Sequence, residues 1–253
     1  MQLTILKIGG KVVEDPTVLD QVLQDFVQLP GAKILVHGGG AKASQLGKQL
    51  SVPAQMIEGR RVTDEATLEI VTMVYAGLYN KKVVAQLQAK NCNALGLSGA
   101  DGNLIKAHKR IVQTIDYGFA GDIDAIDAPG IDHLLKANFT PVFCAITHDQ
   151  QGQLLNTNAD TIAAELSQAM AELYEVQLIL CLDFDGVLAN PKDAESLIQN
   201  LDYQQYEQHQ QSGAISGGMI PKLDNAFAAI KNGVTTVKIC GPRTLSSGGT
   251  VLQ

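Results

Sequence analysis

Two apolar runs that break off at glycines constrain this chain more than any other feature. Leu3 to Leu6 is followed by Lys7, Ile8 and the pair Gly9-Gly10, and Lys33 to Val36 runs into His37 and Gly38-Gly39-Gly40. A helical repeat follows each. Val18, Val22, Phe26 and Leu29 recur after a helix start at Asp15-Pro16, and Ala43, Leu46 and Leu50 recur after the second glycine run. Strand, glycine turn and helix, repeated, predict an α/β fold with a parallel sheet and right-handed crossovers, whose ligands bind beyond the carboxyl ends of the strands. Both glycine turns lie on that edge. Lys7 by itself reads as a solvated charge at a strand end. Its company changes that: a third glycine pair, Gly217-Gly218, precedes a second lysine, Lys222, and three such turns suggest an anion cradle.

The same alternation runs on. Thr63 is placed to cap a helix carrying Leu68, Val71, Tyr75, Leu78 and Tyr79 on one face. Ala94 to Leu97 and Pro141 to Ile146 read as strands, and Leu104 to Val112 with Tyr117 to Gly121 as a hairpin. Asn156-Thr157-Asn158-Ala159-Asp160 opens a helix with Ile162, Leu166, Met170 and Leu173. Such residues cap helices by default, while the functional reading turns one amide and one carboxylate toward a ligand. Gln177 to Leu182 and Val234 to Ile239 are the remaining strands, the second read as the final central one. The glutamine-rich span Tyr203 to Gln211 carries no legible chemistry.

Lys and Arg number 19 against 26 Asp and Glu, a formal charge of −7, which argues against general affinity for nucleic acid or acidic membranes. Any bound anion must be held locally. No apolar stretch approaches the roughly 20 residues of a membrane span, so the expectation is a cytoplasmic protein with neither membrane nor nucleic acid as partner. Cys92, Cys144, Cys181 and Cys240 lack paired metal-ligand spacing and read as buried thiols. Neither a phosphate-binding loop ending in Gly-Lys-Ser/Thr nor a dinucleotide fingerprint is present. Leu178 to Leu188 resembles the first motif of haloacid-dehalogenase-type phosphatases, but only 65 residues (253 − 188) follow it, with no acidic pair placed to hold magnesium.

Lys7-Ile8-Gly9-Gly10, His37 to Gly40, Gly59-Arg60-Arg61-Val62-Thr63, Gly96 to Gly102, Asn156 to Asp160 and Gly217 to Lys222 stand in the order of the amino-acid kinase family. The chain resembles that family over nearly its whole length. The resemblance implies a three-layer αβα sandwich around a mainly parallel central sheet, with two lobes that can also be classed as one domain. Residues 1–173 would bind an acyl-amino acid and dimerise, and residues 174–253 would bind the nucleotide. It implies transfer of the terminal phosphoryl group of ATP, with Mg2+ carried by the nucleotide rather than by protein ligands, to the side-chain carboxylate of N-acetylglutamate in arginine biosynthesis. N-succinylglutamate, or another small acid such as acetylaminoadipate, is the alternative substrate. A non-catalytic sensor stands lower, as does the phosphatase.

By similarity, Lys7 and Lys222 would flank the transferring phosphoryl group and Asp160 would orient both. Gly9, Gly10, Gly39 and Gly40 would offer backbone N–H groups to phosphoryl oxygens. Gly39, Gly40, Arg61 and Asn156 would hold the acyl-amino acid, and Asp183, Phe184, Asp185, Gly186, Val187, Leu188, Ala214, Ile215 and Ser216 the nucleotide. The chain departs from its relatives at Leu182, Phe184 and Asp185, where they carry a hydroxyl residue, valine and a small residue or proline. Arginine-inhibited members have an additional N-terminal helix, whereas this chain begins two residues before its first predicted strand, so the expectation is a homodimer without arginine feedback.

Overall fold

The computed structural model describes residues 1–57, 59–112, 114–190, 193, 195–215 and 219–253. In chain order the elements are β1 (Gln2–Ile8), α1 (Gly10–Glu14), α2 (Pro16–Gln28), β2 (Ala32–His37), α3 (Gly40–Gln49), β3 (Gln55–Ile57), β4 (Arg60–Val62) and α4 (Glu65–Thr72). A π-helical segment, Met73–Tyr79, leads into α5 (Asn80–Ala89), then β5 (Ala94–Leu97), β6 (Ile105–Lys109), β7 (Gly121–Ile126) and α6 (Ala128–Lys136). The remainder is β8 (Thr140–Cys144), β9 (Ile146–His148), β10 (Leu154–Asn156), α7 (Ala159–Met170), β11 (Glu175–Cys181), β12 (Asn200–Leu201), α8 (Tyr203–Gln211), α9 (Met219–Lys231), β13 (Thr236–Cys240) and β14 (Thr250–Leu252).

Eight strands form the central sheet in the order β12-β14-β13-β11-β1-β2-β8-β5, and every neighbouring pair is parallel except β13 with β14. Burial on both faces explains why β1 is apolar almost throughout, with Leu3, Ile5, Leu6 and Ile8 at 1% exposure or less. Each such side chain contributes about 1.5–3 kcal/mol relative to exposure. From β1 the chain adds β2 on one side and later β11 on the other, so the topological switch falls between β1 and β11. Their carboxyl ends meet there, with Ile8 in register with Cys181 and the Gly9 N–H donating to the Cys181 carbonyl at 3.1 Å. That is where ligands bind in open α/β sheets. A second sheet, β10-β9-β6-β7, and the β3-β4 hairpin complete the strands.

Local chemistry accounts for the helix starts. The Asp15 carboxylate accepts from the N–H groups of Thr17 and Val18, with Pro16 at the first helical position. Five expectations change, one being the hairpin, whose second strand is Gly121–Ile126 and not Tyr117 to Gly121. Thr63 does not cap α4: Asp64 does, accepting from the Thr67 N–H at 2.8 Å. The helix beyond Thr72 widens to π geometry, which spacing of apolar residues alone does not distinguish from α. Pro141 to Ile146 is not one strand, because the chain leaves the central sheet after Cys144 and enters the second sheet at Ile146. β13 is not the last strand, since β14 returns antiparallel beside it.

Candidate active site

Lys7, the penultimate residue of β1, is only 8% exposed, so the solvated reading of this lysine fails. Helix α7 packs on β1 and brings Asp160 to it. The Asn158 side chain caps α7, accepting from the N–H groups of Asp160 at 2.7 Å and Thr161 at 3.3 Å, and this sets Asp160 in the first turn, where the helix dipole favours an anion. One oxygen of Asp160 lies 2.8 Å from Lys7 Nζ and the other 3.3 Å from Lys222 Nζ, the latter carried on α9. Burial alone would push the Asp160 carboxyl up, but the two lysines outweigh it and hold the carboxyl below its usual range. A single ionised carboxylate therefore spaces two ammonium groups.

Gly10, Gly39, Gly40, Arg61, Asn156 and Asp160 share a cleft of about 240 Å³ with Lys7. Arg61, on β4, donates from Nη2 to the Gly40 carbonyl at 2.8 Å and to Ser44 Oγ at 2.7 Å, which anchors it to the start of α3. Asn156 Nδ2 donates to Thr63 Oγ1 at 3.0 Å, and that hydroxyl donates to the Arg61 carbonyl at 3.0 Å. Thr63 is thus a strut between the two substrate-side candidates. Gly39 has a φ of +156°, and a Cβ there would lie 2.7 Å from the Tyr79 ring and 3.0 Å from the Tyr75 ring. The π segment supplies both rings, so it is what shapes the second glycine turn. His37 is fully buried behind it. Its Nδ1 donates to the Gly38 carbonyl at 2.9 Å, which leaves Nε2 to accept from Asn80 Nδ2 at 3.2 Å. Burial lowers its pKa to about 4, keeping the imidazole neutral.

The nucleotide-side candidates follow the carboxyl end of β11. Asp183 pairs with Lys11 at 2.8 Å, the Val187 N–H donates to Thr250 Oγ1 at 2.8 Å, and a Cβ at Gly186 would meet Leu197 and Thr250 below 3 Å. Phe184 packs against the core, Asp185 lies against Gly241, Leu188 bridges to Leu197, and Ile215 is buried with its N–H on the His209 carbonyl. Ala214 is half-buried, and Ser216, with Gly217 and Gly218, lies outside the described residues. Neither the Asp183–Leu188 loop nor Ala214 and Ile215 lines the Lys7 cleft or the adjoining cavity of about 290 Å³ bordered by Asp160, Lys222 and Asn225. The Gly9 N–H is already committed to Cys181.

Residues given no site role from the sequence also border the Lys7 cleft: Arg60, Tyr75, Arg110 and Asn158. Arg110 grips Asp122 through Nε, at 3.0 and 3.2 Å from its two oxygens, and through Nη2, and it lies 5.6 Å from the Tyr117 ring. The hydrogen bond from Arg110 holds the Asp122 carboxyl below its usual range. Arg110 falls at the end of a hairpin strand, and only pairing across that hairpin reveals which way it turns.

Among proteins of known family, the amino acid kinase family matches residues 2–241. The chain belongs to the amino acid kinase family. Acetylglutamate kinase of Bacteroides fragilis is 46% identical over 253 residues, covering 100% of this chain and 97% of the relative. That of Bacteroides thetaiotaomicron is 49% identical over 238 residues, covering 94% and 93%, and that of Methanopyrus kandleri 36% identical over 254 residues, covering 98% and 99%. The fold is shared with N-acetylglutamate synthase from Neisseria gonorrhoeae complexed with coenzyme A and N-acetyl-glutamate, at a TM-score of 0.83 and 22% identity over 99% of this chain and 59% of that one. Membership in the kinase family makes ATP the expected phosphoryl donor, and the three-layer arrangement around a mainly parallel sheet is the family's own.

Proposed function

We propose that the protein transfers the γ-phosphoryl group of ATP to the side-chain carboxylate of N-acetylglutamate, a step of arginine biosynthesis. The observation that carries this reading is Asp160 held between Lys7 and Lys222 beside a cleft lined by Arg61 and Asn156. Identities of 46–49% to acetylglutamate kinases over nearly the whole chain support the choice of substrate. A carboxylate oxygen attacks the γ-phosphorus, the new P–O bond forms as the bond to the β,γ-bridging oxygen breaks, and ADP leaves with that electron pair. The attacking group is already ionised and needs no general base. What the transfer requires is cationic stabilisation of charge spread over the phosphoryl oxygens, and the two lysines supply it from opposite sides. Asp160, with both oxygens engaged, positions them. Arg61 and Asn156 bind the α-carboxylate and acylamino groups, and backbone N–H groups around Gly10, Gly39 and Gly40 meet the phosphoryl oxygens.

Magnesium travels with the nucleotide, whose base and ribose lie along Asp183–Leu188 and Ala214–Ser216. Residues 1–173 form the acyl-amino-acid lobe and 174–253 the nucleotide lobe, and each contributes four strands to the central sheet. The enzyme works in the cytoplasm as a homodimer joined through the first lobe, where seven of the eight exposed large apolar side chains among the described residues lie. A second reading, N-succinylglutamate as acceptor, draws support from Arg60 and Arg110, which border both the Lys7 cleft and a neighbouring cavity of about 400 Å³. The test is ADP release from magnesium-ATP with N-acetylglutamate, N-succinylglutamate and acetylaminoadipate side by side. N-acetylglutamate should have the highest kcat/KM. A preference for the succinyl substrate selects the second reading, and turnover of none of the three refutes the kinase.

A further inference from the structure

Lys11 is a cation beside the first glycine turn that the phosphoryl-transfer reading leaves unused. It stands in the first turn of α1, directly after the Gly9-Gly10 turn, and its ammonium reaches across the crevice between β1 and β11 to pair with Asp183 at 2.8 Å. The two residues leave the carboxyl ends of neighbouring central strands, so their ion pair spans the topological switch point. Lys11 is 79% exposed and Asp183 45% exposed, and a pair so open to water is weakly held. Lys11 links the two ends of the donor's path in the kinase reading, following Lys7 by four residues and pairing with Asp183. Lys7, Asp160 and Lys222 mark the transferring phosphoryl group, and the loop that begins at Asp183 marks the nucleoside.

We infer that Lys11 binds the non-transferred phosphates of the nucleotide and that Asp183 is its resting partner in the free enzyme. A polyphosphate threading from the loop to the Lys7-Lys222 pair passes the Lys11 ammonium. It carries more negative charge than one carboxylate and displaces Asp183 from it. Exchange of a weak surface pair for a phosphate contact makes the crevice self-neutral when empty and cationic toward a polyphosphate. Lys11 is then a third ammonium of the site, positioning ground-state phosphate where Lys7 and Lys222 act on the group in transfer. This role rests on the kinase reading.

Calorimetric titration of ADP and of adenosine into the full-length protein, in wild type, Lys11→Gln and Asp183→Asn, tests it. Lys11→Gln should weaken ADP about tenfold, the lower end for a hydrogen bond to a charged group, and leave adenosine unchanged. Asp183→Asn frees the ammonium from its competitor, and any nucleoside contact it costs is read by adenosine, so the affinity for ADP relative to adenosine should be at least that of wild type. If the pair instead serves as a latch that holds the loop in place, both variants weaken ADP and adenosine alike, which overturns the inference. Unchanged ADP affinity in Lys11→Gln overturns it too, as does an equal loss for adenosine. The measurement needs no acyl acceptor, so a wrong acceptor leaves it intact, while ADP failing to bind wild type brings down the nucleotide reading and this inference together.

Discussion

At the scale of single residues, the site separates side chains that share a chemical type. Lys7 is nearly buried against Asp160, Lys222 is half-exposed on the same carboxylate, and Lys11 is out in water on a different one. Burial raises the worth of a charge that faces developing negative charge, because the surroundings screen it less. Lys7→Ala should therefore lower kcat by about 10²–10³-fold, the scale of losing one preorganised donor, and change the KM for ATP only a few-fold. Steady-state kinetics with saturating acceptor decides this. A large rise in KM with kcat intact would make Lys7 a ground-state anchor. Asp160 is ionised because two lysines overcome its burial, and an ionised carboxylate with both oxygens paired is an orienting group and not a proton donor.

Single elements shape the second glycine turn beside the Lys7 cleft. The π segment Met73–Tyr79 places Tyr75 and Tyr79 against Gly39, and α5 begins with Asn80, which donates both to His37 Nε2 and to the Val142 carbonyl at 2.8 Å. Asn80 thus clips β2, α5 and β8 together behind the glycine turn, and it needs a neutral His37 to accept its hydrogen bond. The folded pKa of about 4 lies below the ordinary 6.5, so the unfolded chain binds more protons between those values. The stabilisation is complete above pH 6.5 and is lost as pH falls toward 4, by about 3 kcal/mol from this group. NMR titration should find the His37 ring neutral down to about pH 4, and a midpoint near 6.5 would refute the clip. Apolar periodicity along residues 68–79 was enough to place a helix there, but not to tell α from π, because the register change leaves the buried face apolar.

At the scale of the whole molecule, one eight-stranded sheet draws on strands from both ends of the chain, with its topological switch between β1 and β11. A homodimer joined through residues 1–173 should show twice the chain's mass of 27.0 kDa by light scattering, and a monomer or a hexamer would reject that assembly. The parallel sheet and the glycine turns at its carboxyl edge were legible from the sequence alone. Strand alternation, the Asp15-Pro16 start and the glycine runs are decided by neighbours a few residues away. The order of the family's motifs also carried the candidate site residues. Several contacts escaped a linear reading. Thr63 bridges Arg61 to Asn156 instead of capping α4, Arg110 folds back on Asp122, and Lys11 finds Asp183. Local chemistry thus determined which segments become strands, turns and helices. Only the tertiary structure brought Lys7 and Lys222 to the two oxygens of the Asp160 carboxylate, because that meeting depends on β1 lying beside β11 with α7 packed on β1 and on α9, an arrangement set by long-range burial and strand pairing.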